Sequence, residues 1–327
     1  MNSRAVRIAI GVAVSVVLLW FAVQGVDWGE AAKSVRKANY LWLLPLMAGT
    51  IWNLIVRAQR WRLFLKPLGV PSFRTLVAAT NIGFMANMVL PLRIGEVIRP
   101  ALVARRERVP LGGVLATIVL ERVFDMFMVL LLFGIAVLVV PVTDQARTWG
   151  VMLMGVAAVV GTVVFVMWWQ EELALRIVHA CCAPLPEKVG GALESFARGF
   201  VKALEVLSSP TDFLKAFAWS AYLWGTIALV NMFGLAAFHL PLRSTIIATA
   251  IVAIAVSVPS APGYIGSFQL GCKVALALYG VSPDEAIAFS IVHHLVQFFT
   301  IVAAGLFSMW SENMKLGEVG PAEGGTA

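Results

Sequence analysis

Two short runs place ionisable side chains inside or beside long apolar segments: Leu90-Pro91-Leu92-Arg93-Ile94-Gly95-Glu96-Val97-Ile98-Arg99, and Glu121-Arg122-Val123-Phe124-Asp125. Ionised groups are costly in hydrocarbon unless they are paired or face a wet cavity, so each run marks a candidate site. Pro91 and Gly95 break the helix beside Arg93, and open backbone at membrane depth must be buried in protein or line water. Glu121 and Asp125 lie four apart and share a helix face. Arg122 and Asp125, like Glu96 and Arg99, lie three apart and can meet. A network joining the carboxylates to Arg93 or Arg99 is therefore expected. The chemistry this predicts is an anion-binding cavity, in which guanidinium groups hold a phosphate, bidentately where geometry permits. The bland alternative is a salt-bridge network that only locks two helices together.

A second broken stretch, Pro259-Ser260-Ala261-Pro262-Gly263-Tyr264-Ile265-Gly266, interrupts another apolar segment. Around Gly263 and Gly266, amide N–H groups and a half-helix N-terminus can face a phosphate or carboxylate. A tight turn between packed helices accounts for the same residues equally well.

Composition fixes what must position these groups. Of 327 residues, 60% are hydrophobic and 13% are charged, with a mean hydropathy of +0.87. Soluble globular chains carry about 25% charged residues, so this is a membrane protein of all-α class. Uncharged runs at 8–26, 40–56, 75–92, 126–143, 149–169, 216–242, 244–271 and 286–311 mostly reach the ~17–25 residues that cross a bilayer. Arg4 and Arg7 precede the first run, which is too long for a signal peptide's core and lacks a cleavage site; it reads as a retained helix.

Charge placement sets the topology. With the N-terminus cytoplasmic, the second helix delivers Arg57, Arg60, Arg62, Lys66 and Arg74 to the cytoplasm, and residues 27–39 form a short outer segment. A full crossing by 75–92 would then strand Arg93, Arg99, Arg105, Arg106 and Arg108 outside. A turn back at 90–95 removes the conflict. The reading is about six crossing helices with two opposed re-entrant hairpins, at about 75–107 and 244–280, and both termini cytoplasmic. Residues 170–212 read as a cytoplasmic amphipathic stretch and 312–327 as a disordered tail, leaving 1–311 as the membrane domain.

Other classes find little support. The net charge of +7 fits cytoplasmic loops meeting anionic lipid, not nucleic acid. Cys181, Cys182 and Cys272 give no disulfide framework, and His179 beside two of them finds no second ligand pair for a metal. Hydrolase, zincin and P-loop motifs are absent, so no catalytic residue, metal or cofactor is assigned. Arg57, Arg60 and Arg62, beside Trp52 and Trp61, read as an interfacial anchor. His293 and Gln297 share a helix face with His294 adjacent, and interhelical hydrogen bonding is favoured there over proton relay. Asn53, Asn81, Asn87 and Asn231 read as contacts between helices.

The run 87–99, followed by Glu121-Arg122 and Asp125, resembles the flippase-like membrane domain of lysylphosphatidylglycerol synthases. Arg60-Trp61 upstream fits the same pattern, and Pro262-Gly263-Tyr264-Ile265-Gly266 resembles the family's Pro-Gly-x-x-Gly loop. The resemblance covers nearly the whole chain. It implies an integral membrane protein of the bacterial inner (cytoplasmic) membrane that handles lipids, with these motifs in its core. In full synthases this domain is associated with moving aminoacylated phosphatidylglycerol, while a soluble domain makes the product; no such soluble domain lies in this sequence. One departure is Gln269, where a Glu often follows the glycine-rich loop.

These readings converge on a stand-alone translocase, not an enzyme, for a lipid with an anionic phosphate headgroup. Its substrate-binding residues would be Arg93, Glu96, Arg99, Glu121, Arg122, Asp125, Gly263 and Gly266. The rivals are a non-transporting scaffold for an envelope-biosynthesis protein and, further off, an intramembrane lipid-modifying enzyme.

Overall fold

A computed structural model describes residues 3–139, 209–257 and 262–313, with five single positions between 148 and 162. All regular structure among the described residues is helical, as the composition requires. The segment 27–39 is itself mostly helix. Asp27 caps α2 (Trp28–Lys37) by accepting from the Gly29 and Glu30 amides, and Arg36 and Lys37 close it at the negative end of its dipole. Helix α1 (Ser3–Val23) precedes it. After a 3-10 turn at Tyr40–Trp42 comes α3 (Leu43–Phe64).

The first broken segment becomes α4 (Phe73–Val89), a 3-10 turn at Pro91–Arg93, and α5 (Gly95–Glu107). Leu90 is extended, as a residue before proline should be, and this ends α4. Helix α6 (Leu111–Val139) follows. Helix α7 (Pro210–Ala237) starts on an Ser209 cap. The second broken segment is α8 (Thr245–Ser257), a 3-10 turn at Pro262–Tyr264, and α9 (Ser267–Ala277). Last is α10 (Pro283–Ser311), opened by a Ser282/Glu285 capping box with Pro283 at its first turn. The spans 40–64, 210–237 and 283–311 are long and apolar enough to cross a bilayer.

Lipid is as apolar as leucine, so these helices associate through close packing and polar contacts between helices. Gly305 of α10 sits where a Cβ would strike Met85 of α4, and Gly49 of α3 lies against Val230 of α7. Asn53 donates to Thr226, Asn81 to Ser308 and Asn231 to Thr249, each bond joining two helices. Among the described residues, the buried carbonyl oxygens of Asn81 and Asn87 have no hydrogen-bond partner.

Polar contacts define two ends of the molecule. At one end, Glu312 accepts from both Arg74 and Arg106, Ser72 N–H donates to Glu107, and Lys66 pairs with Asp212. The start of α4 and the end of α5 therefore meet here, beside the end of α10. At the other end, Tyr279 donates to the Arg243 carbonyl, Asn39 N–H to Ala237, and Asp27 N–H to Asp284. The start of α8 and the end of α9 meet there. The tail reading begins at 312, yet Glu312 is held by two arginines. Residues 314–327, and the stretch 170–208, lie outside the described residues.

Candidate functional site

The two helix breaks meet. Gly263 lies close enough to the Met88 carbonyl that a Cβ would reach 3.0 Å from it. Arg93 donates to the Val256 carbonyl, and its guanidinium sits 5.1 Å from the centre of the Tyr264 ring. Arg93 and Tyr264 both adopt left-handed backbone, with φ of 53° and 60°. Such φ values are uncommon for residues with side chains, and they cluster where a chain must turn sharply at a functional position. Beside this junction lies a cavity of about 610 Å³.

Helices α3, α5 and α6 supply a buried ionic network to its wall. Arg60 Nη1 donates to Asp125 at 2.6 Å, and its Nη2 lies 3.7 Å from Glu121. Arg99 grips Glu121 with two nitrogens, at 2.7 and 3.4 Å, and lies 3.8 Å over the Trp61 ring. Trp61 is fixed in turn by donating to Thr117 at 2.8 Å. Arg122 reaches Asp125 at 3.2 Å, and Trp224 of α7 donates to the same carboxylate. Each carboxylate thus holds a guanidinium from another helix, which the desolvation of buried charge demands.

Two arginines are less engaged. Arg57 spends Nε on Asn53 at 2.9 Å and stacks 4.7 Å from the Phe84 ring centre. Arg122 leaves 46% of its side chain exposed, on the cavity side. Across the cavity and the pairs behind it, five guanidinium groups meet three carboxylates among the described residues: Arg57, Arg60, Arg93, Arg99 and Arg122 against Glu96, Glu121 and Asp125. The surplus is two positive charges, in a site that can hold an anion.

The sequence profile of the lysylphosphatidylglycerol synthase transmembrane region matches residues 8–305. The chain belongs to this family. It is similar to the glycosyltransferase AglD of Haloferax volcanii, at 22% identity over 96% of this chain, and spans 56% of that protein's length. It is also similar to a UPF0104 membrane protein of Methanothermobacter thermautotrophicus, at 21% identity over 91% of this chain and 93% of the relative. No solved structure matches.

Within this family domain, Arg93, Glu96, Arg99, Arg122 and Asp125 all line the cavity. Glu121 is fully buried behind it, between Arg60 and Arg99. Gly263 and Gly266 are joints instead of lining groups. A Cβ on Gly266 would strike the Ser15 carbonyl of α1, and both glycines have positive φ. Glu96 and Arg99 do not pair, because Glu121 takes the Arg99 guanidinium.

Sequence reasoning misplaced Arg57 and Arg60. An interfacial anchor would be exposed, whereas Arg60 is fully buried in the ionic network and Arg57 lines the cavity. A signal for Arg60 existed: Glu121, Arg122 and Asp125 carry a net negative charge that one further cation must balance. A second signal was an internal echo. Pro91-Leu92-Arg93-Ile94-Gly95 and Pro262-Gly263-Tyr264-Ile265-Gly266 share the spacing Pro-x-x-Ile-Gly, with positive φ at the third residue of each. One helix after each comes a polar trio of like spacing, Glu121-Arg122-x-x-Asp125 and His293-His294-x-x-Gln297.

Proposed function

We propose that the protein is a translocase for a lipid with an anionic phosphate headgroup, and that the phosphate sits in the cavity on Arg57, Arg122 and Arg93. The observation that carries this reading is the surplus of guanidinium charge in a cavity of about 610 Å³ beside the meeting point of two broken helix pairs. Paired broken segments at a midplane site are the usual construction of membrane transporters. In this reading α4–α5 and α8–α9 are opposed re-entrant hairpins. Two facts support it: each pair brings its own outer ends together, and the two pairs do so at opposite ends of the molecule. The end carrying Lys66, Arg74, Arg105 and Arg106 faces the cytoplasm of a cytoplasmic membrane, with both chain termini on that side.

Arg60 and Arg99 are positioning residues here. They hold Glu121 and Asp125, which in turn aim Arg122 at the cavity. The glycosyltransferase name of AglD belongs to a protein of which this chain spans about half. Catalysis in this chain is not proposed: Glu121 is held by Arg99, and Asp125 by Arg60 and Trp224, as members of the ionic network.

The test is mass spectrometry of lipids retained by gently purified protein, wild type beside Arg57→Ala/Arg122→Ala, with dithionite-protection assays of fluorescent phospholipid in vesicles. Enrichment of a phospholipid by wild type, lost in the double variant together with translocation, is the expected result. Identical lipid profiles and undiminished translocation would overturn it and favour a scaffold for an envelope-biosynthesis protein.

A further inference from the structure

The cavity has two chemically different walls. Arg57 of α3, Arg99 of α5 and Arg122 of α6 make an arginine wall, with Arg93 at the first helix break; His294 of α10 stands on a histidine wall. The carboxylates set among these arginines are not alike. Glu121 and Asp125 are each gripped by an arginine from another helix, at 2.7 and 2.6 Å. Glu96 is not. It sits half-buried on the cavity surface in the first turn of α5. Among the described residues no cation comes within ion-pair distance of it, and Arg99, three residues on, is taken by Glu121. Its carboxylate is within electrostatic reach of Arg122 and Tyr264. The positive end of the α5 dipole and the surplus of guanidinium charge favour its ionised form when no anion is bound.

A carboxylate in that place competes with an anionic ligand. Arg122 is already shared with Asp125 at 3.2 Å, and 46% of its side chain is exposed, on the cavity that Glu96 also lines. A phosphate seated on Arg122 would meet a like charge, and two like charges in one site favour protonation of one of them. A phosphodiester is too strong an acid to take the proton, so the carboxylate takes it. The effect is reciprocal: as the anion favours the proton, the proton favours the anion by the same factor. The other groups facing the cavity are worse placed to respond. Asp125 is held by Arg60 and Arg122. Tyr264 is a neutral phenol near neutral pH. Helix α4 brings Gly83, Phe84, Asn87 and Met88, none of which titrates. His294 bonds Gln269 at 3.1 Å and faces the Gly263 backbone. It is a histidine on the cavity, so it needs its own control.

We propose that Glu96 is a proton carrier: it takes up a proton as the anionic phosphate enters the cavity and releases it as the phosphate leaves, so that a pH difference across the membrane drives the cargo. The inference rests on the phosphate reading above and adds its source of energy. The proton comes from water on the side to which the cavity is open and leaves to water on the other side; no bond of the cargo is made or broken. A neutral carboxyl with a monoanionic phosphate carries the same net charge as the carboxylate alone. Loaded and unloaded sites are therefore matched in charge, and the membrane potential does not oppose the exchange.

The experiment uses the full chain in detergent. The probe is phosphatidylethanol, whose phosphodiester keeps one negative charge between about pH 5.5 and 7.5 and which has no other titratable group. Its affinity for wild type should rise about tenfold from pH 7.5 to 5.5, which by linkage is an average uptake of about half a proton per lipid over that range. A pH indicator in weak buffer should record this uptake directly, and diacylglycerol, which lacks the phosphate, should cause none. Glu96→Gln should bind phosphatidylethanol about tenfold or more tightly than wild type at the higher pH, with no uptake, whereas His294→Phe should keep the uptake. In vesicles, acid on the side of a fluorescent phosphatidylethanol should speed its translocation by wild type and not by Glu96→Gln. Binding by wild type without proton uptake would overturn the coupling and leave the phosphate reading standing, even if the Glu96 variant does not fold. Uptake that survives Glu96→Gln, or that vanishes in His294→Phe, would overturn the assignment to Glu96. Weaker binding by Glu96→Gln at both ends of the range would make Glu96 a structural charge at the head of α5. Diacylglycerol binding as well as phosphatidylethanol would instead overturn the phosphate reading. Dimethyl phosphate displacing the lipid at equal concentration, with the same uptake, would support the coupling and make the cargo a soluble phosphate.

Discussion

Arg57 and Arg60 stand one turn apart on α3, and they should fail in opposite ways when truncated. Arg60 is fully buried, 2.6 Å from Asp125 and 3.7 Å from Glu121. Arg60→Ala leaves Glu121 to Arg99, and Asp125 to Arg122 and the neutral Trp224 donor, so one cation fewer balances the two carboxylates. Breaking a buried pair by removing one partner costs about 3–5 kcal/mol, because the remaining charge is uncompensated. Among the described residues, Arg57 donates one side-chain hydrogen bond, to Asn53, and makes a ring contact with Phe84. Arg57→Ala should cost about 1 kcal/mol in stability, yet it removes a cation from the cavity. The assay is thermal unfolding in detergent, run in parallel with phospholipid retention. Arg60→Ala should unfold several degrees early or fail to accumulate, and Arg60→Ala/Asp125→Ala should recover much of the loss, since the cycle isolates the pair. Arg57→Ala should unfold close to wild type with its lipid depleted. If Arg57→Ala destabilised as much as Arg60→Ala, or if Arg60→Ala left stability untouched, the division into positioning and ligand-holding arginines would be wrong.

Two further outcomes follow from packing and charge at the ends of the first broken pair. Gly95→Ala would drive a Cβ into the Gly83 carbonyl and to 2.5 Å from Asn87 Oδ1, so it should abolish accumulation in the membrane; Gly225→Ala, whose Cβ would meet nothing, should be neutral, and immunoblotting of membranes checks both. Glu312 is pushed up by burial but held below its ordinary value of 4.5 by hydrogen bonds from Arg106 and Arg74. A depressed carboxylate stabilises the fold above its unfolded value and loses that contribution as the pH falls through its folded value. Wild type should therefore lose more stability than Glu312→Gln between pH 6 and the region below 4.5, and melting curves across that window would show it.

How much of this was legible before folding depends on whether neighbours in sequence or neighbours in space decide a residue's role. Arg122 and Asp125 meet because they are three apart on one helix, and the sequence shows that directly. The breaks at Pro91 and Pro262 were equally plain, because proline and glycine act on their own backbone. Arg60 could not be placed that way. Its neighbours Trp61 and Arg62 suggest an interface, and only the crossing of α3 with α6, 65 residues away, buries it against Asp125. Glu96 and Arg99 show the reverse failure, a correct spacing overruled by a stronger partner on α6.

Gln269 shows why composition understates such sites. As one amide in an apolar helix it reads as a departure from a family's acid and nothing more. Its meaning depends on a Gly266 amide that can only donate, and on a histidine 25 positions later that must then accept. One side chain therefore transmits the geometry of the second helix break to the cavity wall. The same break touches Arg93 through Tyr264. A change in how the two broken pairs meet would thus alter the arginine wall and the histidine wall together, which is what the proposed gripping and release of a headgroup would require.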